Sequence, residues 1–168
     1  SQLVIALGTC ATLGGIPAIL DKEQRKVWYR KIYGPKYQGQ GIDALPLSVY
    51  VRVDFLIHGC PVNGNEVLGI LSDLINNKKL NYKNYPVCFE CKVANLPCRL
   101  LHNKPCLGPI TQGGCEAICL KGGSGCYGCF GLKEGANIEA LLTILENIAS
   151  EEEIKNYFSM FHKKTKLI

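Results

Sequence analysis

The chain lacks a long apolar run, a strong excess of either charge and any low-complexity tract. No stretch approaches the roughly 20 consecutive apolar residues that span a bilayer, so the sequence predicts no transmembrane helix. Of its 168 residues, 47% are hydrophobic and 20% are charged, which excludes an intrinsically disordered chain. A formal net charge of +5 is only mildly basic, and we expect no nucleic-acid partner. The length suits one domain, or one domain with a small appendage.

Cysteine is scarce in the first half of the chain and dense in the second. Ten cysteines are present, and only two of them precede residue 88. Disulfide scaffolds spread their cysteines to join distant loops, whereas these form tight pairs. Cys88 with Cys91, and Cys126 with Cys129, have the C-x-x-C spacing that lets two thiolates converge on one metal site. The pattern therefore favours metal binding over disulfides.

The eight later cysteines divide into two groups of four. Zinc and iron–sulfur clusters both accept four thiolates, so spacing alone leaves both open. The residues between the cysteines are rich in glycine and proline, with little of the strand character expected of a zinc ribbon. Irregular backbone with many free N–H groups near sulfur is typical of iron–sulfur sites. The first quartet is Cys88, Cys91, Cys98 and Cys106, and the second is Cys115, Cys119, Cys126 and Cys129.

The two early cysteines each follow a predicted strand. Residues 3–7 form an apolar run typical of a strand buried on both faces of a parallel sheet, and residues 53–57 predict a second strand. Both strands precede a glycine-bearing turn and a helical pattern, which indicates α/β architecture with parallel strands. Cys10 and Cys60 then lie at the sheet edge where such folds place ligands.

Four helices are predicted from apolar periodicity and capping signals. They span residues 17–33, 63–75, 137–149 and 150–162. The second and fourth begin with capping-box spacing. The second helix is expected to bury one face, formed by Val67, Leu68, Leu71 and Leu74.

Two motifs around the early cysteines resemble a known family. The turn at residues 8–15 (GTCATLGG) and the tripeptide at 59–61 (GCP) are similar to the proximal-cluster motifs of nickel–iron hydrogenase small subunits. A homologous subunit of respiratory complex I shares these motifs but lacks the eight later cysteines. Those cysteines, in contexts such as PVCFECK at 86–92 and GCYGC at 125–129, resemble the cytoplasmic multimeric hydrogenases, which include the sulfhydrogenase delta subunit and archaeal coenzyme-reducing enzymes. The resemblance covers roughly residues 3–135.

The resemblance implies three [4Fe–4S] clusters. The first quartet would bind the distal cluster and the second quartet the medial cluster. Cys10 and Cys60 would supply two ligands of the proximal cluster. In the family, the other two lie in a C-x-x-C after the first strand of a flavodoxin-like domain. This sequence lacks that pair, so we expect the remaining ligands upstream of it.

The resemblance also implies an organisation and a role. Residues 1–80 would be the C-terminal part of a flavodoxin-like α/β domain with a parallel sheet, residues 81–135 an irregular cysteine-rich iron–sulfur domain, and residues 136–168 C-terminal helices. The chain would relay electrons between a hydrogen-cleaving large subunit with a nickel–iron centre and an acceptor subunit carrying flavin or iron–sulfur clusters. It would be part of a cytoplasmic hetero-oligomeric oxidoreductase and carry no catalytic residue itself. Two alternatives stay open: a zinc-stabilised interaction module, and a related redox complex without hydrogen chemistry.

Residues outside the cysteine motifs carry smaller expectations. We expect the hydroxyls of Thr9 and Thr12 to bond to cluster sulfurs and His58 to be a hydrogen-bonded structural histidine. Lys163, Lys164 and Lys166 are expected to form a solvated tail.

Overall fold

The computed structural model describes residues 3–39, 41, 43–80 and 82–165, and within them two short strands and seven α-helices alternate with long loops. The strands are β1 (Ile5–Leu7) and β2 (Phe55–Ile57). The helices are α1 (Thr9–Leu13), α2 (Lys22–Tyr33), α3 (Gly64–Ile75), α4 (Val87–Val93), α5 (Ile118–Lys121), α6 (Ile138–Glu146) and α7 (Glu151–His162). None of the helices in the described ranges is long and apolar enough to cross a membrane.

The two strands pair in parallel, which confirms the mixed α/β fold expected from the sequence. Ile5 lies opposite Phe55 and Leu7 opposite Ile57. The expectation that the first strand is buried on both faces is wrong: Ala6 is fully buried, but Leu7 is 53% exposed. Burial on both faces needs neighbours on both sides of the strand, and within the described residues β1 pairs only with β2.

The helix predicted from residue 17 begins five residues later. Residues Ile16–Ala18 form a separate 3₁₀ turn, and α2 begins after Asp21. Asp21 caps the helix in a capping box, in which its own backbone N–H donates to the Gln24 side chain at 3.0 Å. The Asp21 cap, and not Pro17, therefore determines where this helix begins.

The predicted bounds of α3 agree with the structure, but its predicted buried face does not. The Asn63 side chain accepts from the backbone N–H groups of Asn65 and Glu66 and caps the helix. No residue of α3 is buried, and Leu68 is 67% exposed. Of the four residues expected to be buried, Leu68 and Leu71 are exposed, and Val67 and Leu74 are only partly covered.

The C-terminal helices pack against the cysteine-rich segment. Helix α7 begins with the predicted capping box, formed by Ser150 and Glu153. The apolar faces of α6 and α7 share one core with the loop that follows Cys106; its buried residues are Leu107, Ile110, Leu141, Leu145, Ile154 and Phe158. The packed helices therefore support the loop that carries the cysteines.

The residues that follow α7 form ion pairs with Asp21, the residue that precedes α2. Lys164 Nζ lies 2.7 Å from a carboxylate oxygen of Asp21, and Lys163 Nζ lies 3.4 Å from the other. The expectation of a solvated tail is therefore wrong for these two lysines, and Lys166 lies outside the described residues.

Candidate metal-cluster sites

The four cysteines of the second quartet line one cavity. Its volume is about 270 Å³, and Cys60 lies in the same wall. The quartet members that line it are Cys115, Cys119, Cys126 and Cys129. Apolar side chains, among them Val87 and Phe130, form part of the remaining lining. The structure thus brings together residues that the sequence grouped by spacing alone.

Two glycine-rich turns position these cysteines. Cys115 follows Gly114, whose φ of 131° is a conformation that other residues rarely adopt. Gly128, at φ 84°, makes the turn between Cys126 and Cys129. The carbonyl of Cys126 accepts a bond from the Leu107 N–H at 2.8 Å, which attaches this turn to the buried core.

Burial affects the thiols of the second quartet strongly. It raises the pKa of Cys129 to about 12 and that of Cys115 to about 11, and it raises the pKa of Cys126 well above its usual value. A desolvated thiolate needs a compensating positive charge, which a bound metal supplies when it displaces the proton. An all-thiol donor set around a space larger than one ion fits a metal–sulfur cluster.

The first quartet also converges. Cys88 and Cys91 lie one turn apart in α4. Burial raises the pKa of Cys88 to about 12, and the thiols of Cys106, Cys91 and Cys98 raise it further. Cys98 also raises the pKa of Cys91 and that of Cys106, so all four thiols interact.

A glycine lets the backbone approach two sulfurs of the first quartet. A Cβ atom on Gly108 would lie 3.3 Å from the Cys88 sulfur and 3.4 Å from the Cys106 sulfur. Both distances are tighter than ordinary contacts. In the part of the chain that the structure covers, no group of three or more His, Cys, Asp or Glu side chains is placed so that it could hold a metal ion.

The two early cysteines lie in loops that are distant in sequence and joined by hydrogen bonds. The Gly8 N–H donates to the Ile57 carbonyl at 2.7 Å, and the Thr9 N–H donates to the Gly59 carbonyl at 2.9 Å. Cys10 and Cys60 are both exposed. They thus lie on the surface at the carboxyl ends of β1 and β2, as the sequence predicted.

Cys60 lies next to the second quartet as well. Its backbone N–H hydrogen-bonds the Cys129 thiol, and its own thiol raises the pKa of Cys119 and Cys129. Sequence spacing contained no signal for this contact, because Cys60 and Cys129 are far apart in the chain. Cys60 therefore adjoins the second quartet.

The hydroxyl of Thr9 does not have the partner that we expected. It donates to the Cys129 carbonyl at 2.7 Å and accepts from the Gly59 N–H at 3.1 Å. Because a hydroxyl has one hydrogen to donate, the expected bond from Thr9 to a cluster sulfur is wrong. Thr9 instead joins the Cys60 loop to the second quartet.

His58 is a structural histidine, as predicted. Its Nδ1 lies 2.7 Å from the hydroxyl of Thr12. The expected bond from Thr12 to a cluster sulfur stays a prediction. Burial, together with nearby His162, lowers the pKa of His58 to about 4 and keeps the imidazole neutral at pH 7.

Glu90 is a residue of this site that we did not single out from the sequence. It stands between Cys88 and Cys91, yet its carboxylate accepts bonds from the Gly114 N–H at 2.7 Å and the Ala117 N–H at 3.1 Å. The Cys115 sulfur lies 3.7 Å from the same carboxylate. Its position between the two cysteines of a C-x-x-C pair was the one feature of the sequence that could have pointed to it.

The fold and the site define a cysteine-rich α/β protein in which four cysteines line one cavity. Residues 1–74, which include both early cysteine loops, match the family described as NADH ubiquinone oxidoreductase, 20 Kd subunit. The chain is 40% identical over 163 residues to the delta subunit of sulfhydrogenase 2 from Pyrococcus furiosus, which covers 96% of this chain and 68% of that one.

Two further relatives are hydrogenase subunits from archaea. A vhu-type subunit of the F420-non-reducing hydrogenase of Methanocaldococcus jannaschii is 29% identical over 177 residues, covering 84% of this chain and 62% of its own length. The iron-sulfur subunit of the F420-non-reducing hydrogenase of Archaeoglobus profundus is 25% identical over 218 residues, covering 93% of this chain and 67% of its own length. The chain therefore belongs to the hydrogenase-subunit family that includes the sulfhydrogenase delta subunit, and it spans about two thirds of the length of these relatives.

Proposed function

We propose that this chain is the electron-transfer subunit of a nickel–iron hydrogenase. It would relay electrons between a hydrogen-cleaving large subunit and an acceptor subunit with flavin or iron–sulfur clusters. The observation that carries the proposal is the cavity lined by all four cysteines of the second quartet. A single zinc ion binds four thiolates at about 2.3 Å, so it would leave most of a cavity of about 270 Å³ unfilled.

In this proposal the two quartets hold the two [4Fe–4S] clusters that the chain can bind alone. When bound, such clusters take up and release single electrons. The chain's own residues hold the clusters in sequence, exclude water from them and donate backbone N–H bonds to sulfur. Val87 and Phe130 exclude water around the second quartet, because both are buried in its wall.

We further propose that the exposed pair, Cys10 and Cys60, contributes to a third cluster with ligands from elsewhere in the intact subunit. The parallel pairing of β1 and β2 supports a larger flavodoxin-like sheet over residues 1–80. The surface position of the pair suits a cluster shared with another segment. In the same proposal residues 81–135 form the iron–sulfur domain and residues 136–168 the supporting helices. The assembly would be a cytoplasmic hetero-oligomer.

A related redox complex without hydrogen chemistry is the second candidate. The match of residues 1–74 to the 20 Kd subunit family favours it. That match excludes the eight later cysteines, whereas the relationship to the sulfhydrogenase delta subunit extends over 96% of the chain. The longer relationship is the reason to prefer the hydrogenase.

The test is metal and sulfide analysis of the complex purified without oxygen. We expect about eight iron and eight acid-labile sulfide from the two quartets of this chain, in addition to any third cluster, and nickel in the co-purified large subunit. Iron and sulfide without nickel would support the second candidate. Zinc without sulfide would contradict the cluster proposal altogether.

A ligand variant and a matched control sharpen this test. Cys129→Ser should lose one of the two clusters, since a serine hydroxyl is a poor substitute for a thiolate. Ser124→Ala, on the same loop but outside both quartets, should keep the full iron and sulfide content. Equal iron in the two variants would remove Cys129 from the ligand set.

A further inference from the structure

Glu90 belongs to the motif of one quartet but contacts the loop of the other. It lies in α4 between the first-quartet cysteines Cys88 and Cys91. Its Oε1 accepts from the Gly114 N–H at 2.7 Å, and its Oε2 accepts from the Ala117 N–H at 3.1 Å. The residues that it bonds therefore flank Cys115, the first ligand of the second quartet.

The turn that Glu90 holds has an unfavourable backbone. Glu116 and Ala117 have φ values of 57° and 52°, in the left-handed region where residues with a Cβ are disfavoured. The two bonds to the Glu90 carboxylate satisfy backbone N–H groups on both sides of Cys115. Such a turn persists only when its surroundings hold it in place, and Glu90 provides that support.

The carboxylate also brings a charge close to a ligand sulfur. Glu90 Oε2 lies 3.7 Å from the Cys115 sulfur. Among the described residues, no cationic side chain forms an ion pair with Glu90. Nearby Lys83 pairs with Glu66 instead, at 2.6 Å. Glu90 is partly buried, so water screens its charge less than that of an exposed residue.

We infer that Glu90 is a positioning residue that holds Cys115 in place and, through its negative charge, lowers the reduction potential of the cluster bound by the second quartet. The inference rests on the proposed function. Adding an electron to a cluster becomes less favourable when a fixed negative charge lies beside it, and net charge near the sulfurs is one of the factors that set cluster potentials. Glu90 thereby adjusts one quartet from within the motif of the other.

The test compares E90Q, E90D and E116Q in the complex purified without oxygen. E90Q removes the charge but keeps an oxygen that can accept from Gly114, and E90D keeps the charge. E116Q removes a charge from the same turn, but that side chain is 62% exposed and therefore screened. The readout is a redox titration followed by electron paramagnetic resonance, in which the signal changed by Cys119→Ser identifies the second-quartet cluster.

We expect E90Q to raise the ratio of reduced to oxidised second-quartet cluster at least tenfold at a fixed ambient potential, which corresponds to 59 mV for one electron. E90D and E116Q should change this ratio less than twofold. Loss of the second-quartet cluster in E90Q but not in E90D would also support the inference, since it would show that the charged carboxylate is needed to hold Cys115.

Three results would overturn the inference. They are an unchanged potential in E90Q with full iron content, an equal shift in E90D and E90Q, and equal loss of iron in both. Failure of the proposed function is distinguishable, because the unmodified complex would then lack iron and sulfide before any variant is made.

Discussion

The backbone N–H of Cys126 donates a hydrogen bond to the sulfur of Cys106 at 3.3 Å. A residue of the second quartet is thereby bonded directly to a residue of the first. Sulfur hydrogen bonds are among the factors that set cluster potentials, so the two proposed centres share one polar environment. A short separation between redox centres is what an electron relay needs.

Gly108 should tolerate no side chain. In Gly108→Ala, the new Cβ would lie 3.3 Å from the Cys88 sulfur and 3.4 Å from the Cys106 sulfur, so both ligands of the first quartet must shift. We expect reduced iron and sulfide content, measured on the purified complex. Gly122→Ala is the matched control, because its Cβ would meet ordinary contacts at 3.5 Å or more. Equal iron in both variants would contradict the prediction.

Thr9→Val should destabilise the chain. The hydroxyl of buried Thr9 is bonded to Cys129 and Gly59, and valine leaves both backbone groups without that partner. We expect the free energy of unfolding to fall by about 1–3 kcal/mol. The measurement is a urea titration without oxygen. Thr143→Val, at an exposed helical threonine, should change it by less than about 0.5 kcal/mol.

Stability should fall as the pH drops below about 6.5, the ordinary pKa of histidine. Burial lowers the pKa of His162, so the unfolded chain takes up a proton there at a pH where the folded chain does not. The loss continues until the pH reaches the lowered pKa of the folded state. His58, whose pKa is lowered to about 4, contributes in the same direction. His162→Gln should therefore reduce this dependence between pH 6.5 and 5 without abolishing it, as measured by urea titrations.

Glycine at position 116 should stabilise the turn before α5. Glu116 has a φ of 57°, a conformation that costs about 1–2 kcal/mol for a residue with a Cβ. Glu116→Gly and Glu116→Ala both lose the side-chain bond to Asn63, so their difference isolates the backbone effect. We expect the glycine variant to be about 1 kcal/mol more stable than the alanine variant by urea titration. An alanine variant of equal or greater stability would contradict this.

Local signals predicted the helices that carry their own caps. The bounds of α3 followed from Asn63, and those of α7 followed from the Ser150 capping box. The beginning of α2 was missed because Pro17 and Asp21 are both plausible starting signals, and only the structure shows which one is used. Burial of β1 was wrong because it depends on neighbouring strands that the sequence of one strand does not specify.

The sequence predicted which cysteines group together at the candidate site, but not which other residues contact them. Cysteine spacing separated the two quartets, and the structure places the members of each together. The approach of Cys60 to Cys129 and of Glu90 to Cys115 joins segments that are distant in sequence or assigned to different quartets. Such contacts depend on how loops fold over one another, which local periodicity does not encode.

The C-terminal end of α7 and the residues that follow it contact two separate parts of the molecule. His162 Nε2 lies 3.0 Å from the Gly128 carbonyl in the second-quartet turn, while Lys164 reaches Asp21 at the start of α2. Removing the C-terminus from residue 162 onward would therefore remove both contacts at once. The turn between Cys126 and Cys129 would lose a hydrogen bond, and α2 would lose its ion pairs with the C-terminal segment.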